Sequence, residues 1–183
     1  MQKNQLEMDI LALYDNNLVN VFSINQIAKL LGKTYPYINK KVTELLNDGV
    51  LKKIIVGKAY LCTLNFECEK TLLLLSMLEL NKRKKHTEVG EFIQKNMLNF
   101  TVHTVVKYNR KLLFVVENLH DRRKIGRAFE NSIVVDKREF LDMLFDEEKL
   151  FKNHTVLYGA EKFYQLLRIE INELKRLHSP LRY

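Results

Sequence analysis

The chain has 183 residues, 46% of them hydrophobic, enough for one large globular domain or two small ones with a real core. Six glycines and two prolines argue against long loops or a low-complexity tail, and two cysteines (Cys62, Cys68) argue against a disulfide framework. A formal charge of +8 favours anionic partners.

Other classes are disfavoured as well. The longest apolar run, Leu72–Leu75 extended to Met77–Leu78, is far shorter than the roughly 20 residues that span a bilayer. Met1–Asn4 leads directly into a helical pattern, so no signal peptide is expected and the reading is a soluble, cytoplasmic protein. No cysteines and histidines stand at zinc-ligand spacing, and no cofactor or metal is expected.

Leu6, Ile10, Leu13 and Tyr14 recur at helical spacing and predict a first helix over Asn4–Asp15. Ser23, followed three residues later by Gln26, is a capping-box signature for a second helix over Ile24–Leu31, expected to bury Ile27, Leu30 and Leu31. Gly32 stops it, and Lys33 leads to Thr34, the expected cap of a third helix whose first turn tolerates Pro36. On that helix Ile38, Val42 and Leu45 share one face. The opposite face carries Pro36, Tyr37, Asn39, Lys40 and Thr43, with Lys41 at the margin. Val50–Val56 and Ala59–Asn65 then read as two strands joined by a turn at Gly57–Lys58.

Two helices joined by a tight turn, followed by a basic hairpin, form an arrangement that lays a helix in the DNA major groove and a ribbon beside it. Between Phe22 and Asn65 the chain holds seven lysines and only two acids, whereas from His86 onward 17 basic residues nearly balance 14 acidic ones. The expected DNA contacts are Lys33, Thr34, Tyr35, Tyr37, Asn39, Lys40, Lys41 and Thr43 from the third helix and its approach. Lys52, Lys53 and Lys58 add contacts from the hairpin. Asn39 suits adenine, and the lysines suit guanine or phosphate.

The runs Ser23–Gly32, Val42–Leu51 and Val56–Lys58 resemble the winged helix-turn-helix DNA-binding domain of archaeal and bacterial transcription regulators. The resemblance implies sequence-specific binding to double-stranded DNA by a domain covering residues 1–66.

Glu67–Lys85 reads as a connecting helix, within a linker segment 67–86, that is apolar over more than one face. Such a helix must be covered on more than one side, within the chain or by a second copy, and a homodimer is expected.

Beyond it, helices are expected over Glu88–Leu98, Asn118–Glu130 (inner face Ile125, Ala128, Phe129) and Glu147–Asn153, with strands at Phe100–Lys107, Lys111–Glu117 and Ser132–Val135. Asp136 caps a helix that turns Phe140, Leu141 and Leu144 inward. Thr155–Gly159 is expected as an extended link before a closing helix, Ala160–Leu177. Alternating strands and helices imply a small α/β domain over residues 87–183. The fold class expected for the whole is an α+β winged helix-turn-helix domain, a connecting helix and a small α/β domain.

Three stretches, Leu112–Asn118, Asp136–Phe140 and His154–Tyr164, make this half resemble the nucleotidyltransferase-like domain that some archaeal proteins fuse to a winged helix. An active member of that family has a Gly-Ser turn, an Asp-x-Asp pair entering a strand and a third acid on a later strand, which together hold two Mg²⁺ ions. Here the Asp-x-Asp positions align with Asn109 and Lys111, no Gly-Ser pair precedes them, and Ile133–Val135 contains no acid. The domain is therefore expected to keep the scaffold without the reaction, serving for dimerisation or for binding an unidentified effector. Two other readings stand beside this one: a divergent nucleotidyltransferase acting on a nucleic-acid-linked substrate, and a protein–protein interaction module.

Overall fold

The computed structural model describes residues 2–57, 59–83, 91, 93, 95, 101–108, 110–118, 120, 122–146 and 154–177. Lys58, Asn109, Asp121, most of the expected helix at 88–98 and all of that at 147–153 lie outside the described residues. What is described is a mixed α+β structure with two small sheets, divided into one unit through Leu78 and another from Glu79 onward.

The N-terminal unit begins with α1 (Gln2–Asp15), α2 (Ile24–Leu31) and α3 (Tyr35–Asn47). Leu6, Ile10, Leu11 and Tyr14 of α1 pack inward. The capping box of α2 closes as expected: Gln26 N–H donates to Ser23 Oγ at 3.2 Å, and Ser23 N–H donates to Gln26 Oε1 at 2.8 Å. Gly32 ends the helix at φ 61°, a left-handed conformation that glycine adopts without a Cβ penalty. Two expectations for this stretch need correction. Leu30 is 58% exposed, because Ile24, Ile27 and Ala28 fill the inner stripe of so short a helix. Thr34 stands at the N-cap of α3, but its side chain makes no capping hydrogen bond.

A hairpin follows, β1 (Leu51–Val56) paired antiparallel with β2 (Ala59–Leu64). Phe22 joins it through Phe22 N–H to the Cys62 carbonyl (3.0 Å) and Cys62 N–H to the Phe22 carbonyl (2.7 Å). The Tyr14 hydroxyl donates to the same Cys62 carbonyl at 2.9 Å while its ring meets Phe22 edge-on, so the hairpin is tied to α1. Burial pushes both the Tyr14 phenol and the Cys62 thiol up, which keeps them neutral. The unit closes on the first part of α4 (Glu69–Arg83), where Leu72 and Leu75 are buried and Thr71 donates to the Val50 carbonyl at 3.1 Å.

In the second unit, a four-stranded sheet has the order β5 (Ser132–Asp136), β4 (Lys111–Val116), β3 (Val102–Tyr108), β6 (Thr155–Tyr158). β4 and β5 are parallel and the other pairs antiparallel. The stretch Thr155–Tyr158, expected as a link, is thus an edge strand; four residues carry too little periodicity to announce it. β3 and β4 pair Tyr108 with Lys111, so only two residues connect them, and Arg110 takes a left-handed φ of 63° in that turn.

Ile125 and Phe129, from α5 (Arg122–Ala128) and its end, join one face of the sheet around Phe114, Val116 and Val134. Ala128, expected to point inward, is exposed. The α6 helix (Lys137–Asp146) is capped by Asp136, whose Oδ1 accepts from Glu139 N–H at 2.7 Å. It meets α7 (Ala160–Leu177) through Phe140 and Phe163.

Gly159, just before α7, has φ 64°, and a Cβ there would overlap the His103 carbonyl oxygen and stand 3.2 Å from Thr104 Cα. Gly159→Ala is therefore expected to destabilise this unit by about 3 kcal/mol or more, read as the shift in its urea midpoint. A loss below about 1 kcal/mol would show that the backbone has room to give.

Candidate nucleic-acid interface

The short Gly32–Thr34 turn fixes where α3 starts, and the three core side chains Ile38, Val42 and Leu45 fix which way it faces. Tyr35 and Tyr37 are consequently 48% and 53% exposed, and Lys33, Thr34, Lys40 and Thr43 are exposed with them; Asn39 is half-buried. Thr43 donates its hydroxyl to the Asn39 carbonyl at 2.8 Å, which leaves only its oxygen lone pairs for a partner.

The lysines differ in how far their charge is already compensated. Among the described residues, Lys33 and Lys40 have no ion pair. Lys53 lies over the Tyr60 ring, 3.9 Å from its centroid, an arrangement that leaves its charge in place. Lys52 is held by Glu67 at 2.8 Å. Lys41, with 13% of its side chain exposed, sits between Glu44 at 3.3 Å and Glu7 at 3.8 Å, turned toward α1 rather than toward solvent. This pairing reaches 34 positions back along the chain, and no local pattern announces it.

The same network includes Lys70, which contacts Asp48 at 2.6 Å and Glu7 at 3.3 Å and so joins α4 to the end of α3. The Lys70 ammonium holds the Asp48 carboxyl below its usual range. The hairpin lies close to the start of α3: burial, and then the nearby Tyr35, push the Tyr60 phenol up. Ile55 is 75% exposed on the hairpin.

A hollow of about 130 Å³ beside α3 is lined by Leu6, Tyr37, Lys40, Lys41 and Glu44. It is smaller than the roughly 300–1,000 Å³ of small-molecule sites, so it marks the flank of the helix and not a ligand pocket.

Among the described residues no three His, Cys, Asp or Glu side chains converge as a metal site, and no helix is long and apolar enough to cross a membrane. Lys111 stands exposed at the start of β4. Comparison with protein-family models, curated proteins and solved structures found no match.

Proposed function

We propose that the N-terminal unit is a winged helix-turn-helix domain that binds double-stranded DNA sequence-specifically, as a transcription regulator. In this reading α3 lies in the major groove and the β1–β2 hairpin is the wing along the backbone. The observation that carries it is the coincidence, at the start of α3, of exposed Tyr35 and Tyr37 with the uncompensated charges of Lys33 and Lys40, beside a hairpin that presents Lys53. Asn39 and Lys40 are the base-reading candidates; Lys33 and Lys53 supply phosphate contacts.

The second unit is proposed to be a nucleotidyltransferase-like scaffold without the chemistry. Support comes from Lys111 where a metal-binding carboxylate would stand, and from the two-residue β3–β4 connection, which leaves no loop for a Gly-Ser turn. A homodimer is proposed through α4, whose Leu73, Met77 and Leu80 are 53%, 53% and 52% exposed at positions that share one helix face.

The ion-pair pattern yields a test that separates two adjacent lysines. Lys40→Ala is expected to weaken duplex binding and to lower the slope of log affinity against log salt by about 1, the signature of one lost phosphate contact. Lys41→Ala is expected to leave that slope unchanged, because Glu7 and Glu44 already take its charge. Fluorescence anisotropy of both variants at several salt concentrations checks this. Equal slopes for the two would mean that another face of α3 meets the DNA.

A further inference from the structure

The two faces of the β1–β2 hairpin present different chemistry. Across an antiparallel pair, directly opposite residues point to the same side, and so does every second residue along each strand. The register pairs Leu51 with Leu64, Lys53 with Cys62 and Ile55 with Tyr60, so these six share one face. At its root that face belongs to the core: Leu51, Leu64 and Cys62 are buried. Toward the tip it runs off the body of the unit. Tyr60 is half-buried there, and Ile55 is 75% exposed, the most exposed large hydrophobic side chain among the described residues. A β-strand does not require isoleucine at such a place, since threonine serves an exposed strand position as well.

The same face borders α3. The Tyr60 phenol is pushed up by burial and then by Tyr35, which opens α3, and Lys53 stands over the Tyr60 ring at 3.9 Å. Ile55 thus ends a row of Tyr35, Tyr60 and Ile55 with an ammonium beside it. On the outer face, by contrast, Lys52 is held by Glu67 at 2.8 Å. An apolar tip on the side whose charge is uncompensated fits a partner that is anionic outside and apolar within. One isoleucine is far too small for a protein partner, which covers about 800 Å² per side. It matches one base step of a duplex, whose phosphate rim encloses a stacked interior that apolar side chains enter from the minor groove.

We infer that Ile55 is an apolar wedge: with α3 in the major groove, the hairpin tip reaches the minor groove and Ile55 partly unstacks one base step. This rests on the DNA-binding reading and adds a specificity-determining residue to it. Isoleucine makes no hydrogen bond to a base, so what it reads is the cost of unstacking. Pyrimidine–purine steps such as TA kink and unstack most easily, and the wedge selects them.

The test uses the full chain and duplexes that carry the site selected by wild type. A TA step is moved through the flanking positions, its adenine replaced by 2-aminopurine, whose fluorescence rises on unstacking. Wild type is expected to raise the signal at one position and to prefer TA over AA there by about tenfold. Ile55→Ala is expected to abolish the rise and to cut the preference to about twofold. Its salt slope stays unchanged, because no charge is lost. Ile55→Leu, which keeps an apolar wedge, is expected to retain both the rise and the preference. Duplex binding by wild type without a rise, or a rise that survives in Ile55→Ala, would overturn the wedge and leave the DNA-binding reading standing. No duplex binding at low salt would overturn both. Self-association of the chain that is lost in Ile55→Ala, measured by sedimentation, would also overturn the wedge, because a second copy would then cover the tip.

Discussion

Glu79→Ala is expected to destabilise the second unit by about 3–5 kcal/mol, the cost of removing one partner from a buried, hydrogen-bonded charge. Glu79 is fully buried, and both of its carboxylate oxygens accept hydrogen bonds. Its Oε2 accepts from the backbone N–H of Val156 at 2.7 Å, and its Oε1 accepts from the Tyr164 hydroxyl at 3.2 Å and from Lys82 Nζ. The alanine variant would leave the Lys82 ammonium partly buried, an edge-strand N–H without its acceptor, and a cavity beside Tyr164. Urea unfolding of wild type and variant measures the loss. A change below about 1 kcal/mol would mean that water replaces the carboxylate and that the end of α4 is held by packing alone.

Acid should weaken the same region through a different side chain. The His154 ring is buried against Phe163 and Tyr164, with centroids 5.1 and 6.4 Å away, and neither of its nitrogens has a hydrogen-bond partner. Burial, and after it the Lys82 charge, push its pKa down to about 3. The unfolded chain takes up that proton near the ordinary value of about 6.5, whereas the folded chain resists it. Stability is therefore complete above about pH 6.5. It falls by up to about 1.4 kcal/mol per pH unit until the folded pKa is reached. His154→Phe, which retains a ring in the same packing, is expected to flatten this dependence between pH 6 and about 4 relative to wild type. Identical pH profiles for the two proteins would show that His154 protonates as easily folded as unfolded.

Much of the N-terminal unit was legible because its signals are local. Ser23 and Gln26 announce a cap within three residues, Gly32 marks a left-handed stop, and Ile38, Val42 and Leu45 set the face of α3 by spacing alone. Periodicity does not report what comes from elsewhere in the chain. The wheel put Lys41 at the margin of the polar face, but Glu7 on α1 draws it inward. Ala28, not Leu30, was the inward residue of α2, because eight residues are too few for apolarity to define a stripe.

In the second unit the misses share a cause. Glu79 reads as one acid within a leucine-rich helix, and its burial is explained by partners far along the chain, the N–H of Val156 77 positions later and the hydroxyl of Tyr164 85 positions later. A bulge at His103 exists only as a register between two strands. Thr155–Tyr158 becomes a strand because β3 offers it an edge.

The most direct test of the DNA-binding proposal is selection of sequences bound by the wild-type chain from random duplex DNA, followed by titration of the selected duplex at increasing salt. The proposal predicts an enriched site with two related half-sites and an affinity that falls steeply as salt rises. No enrichment, together with no measurable duplex binding at low salt, would contradict it.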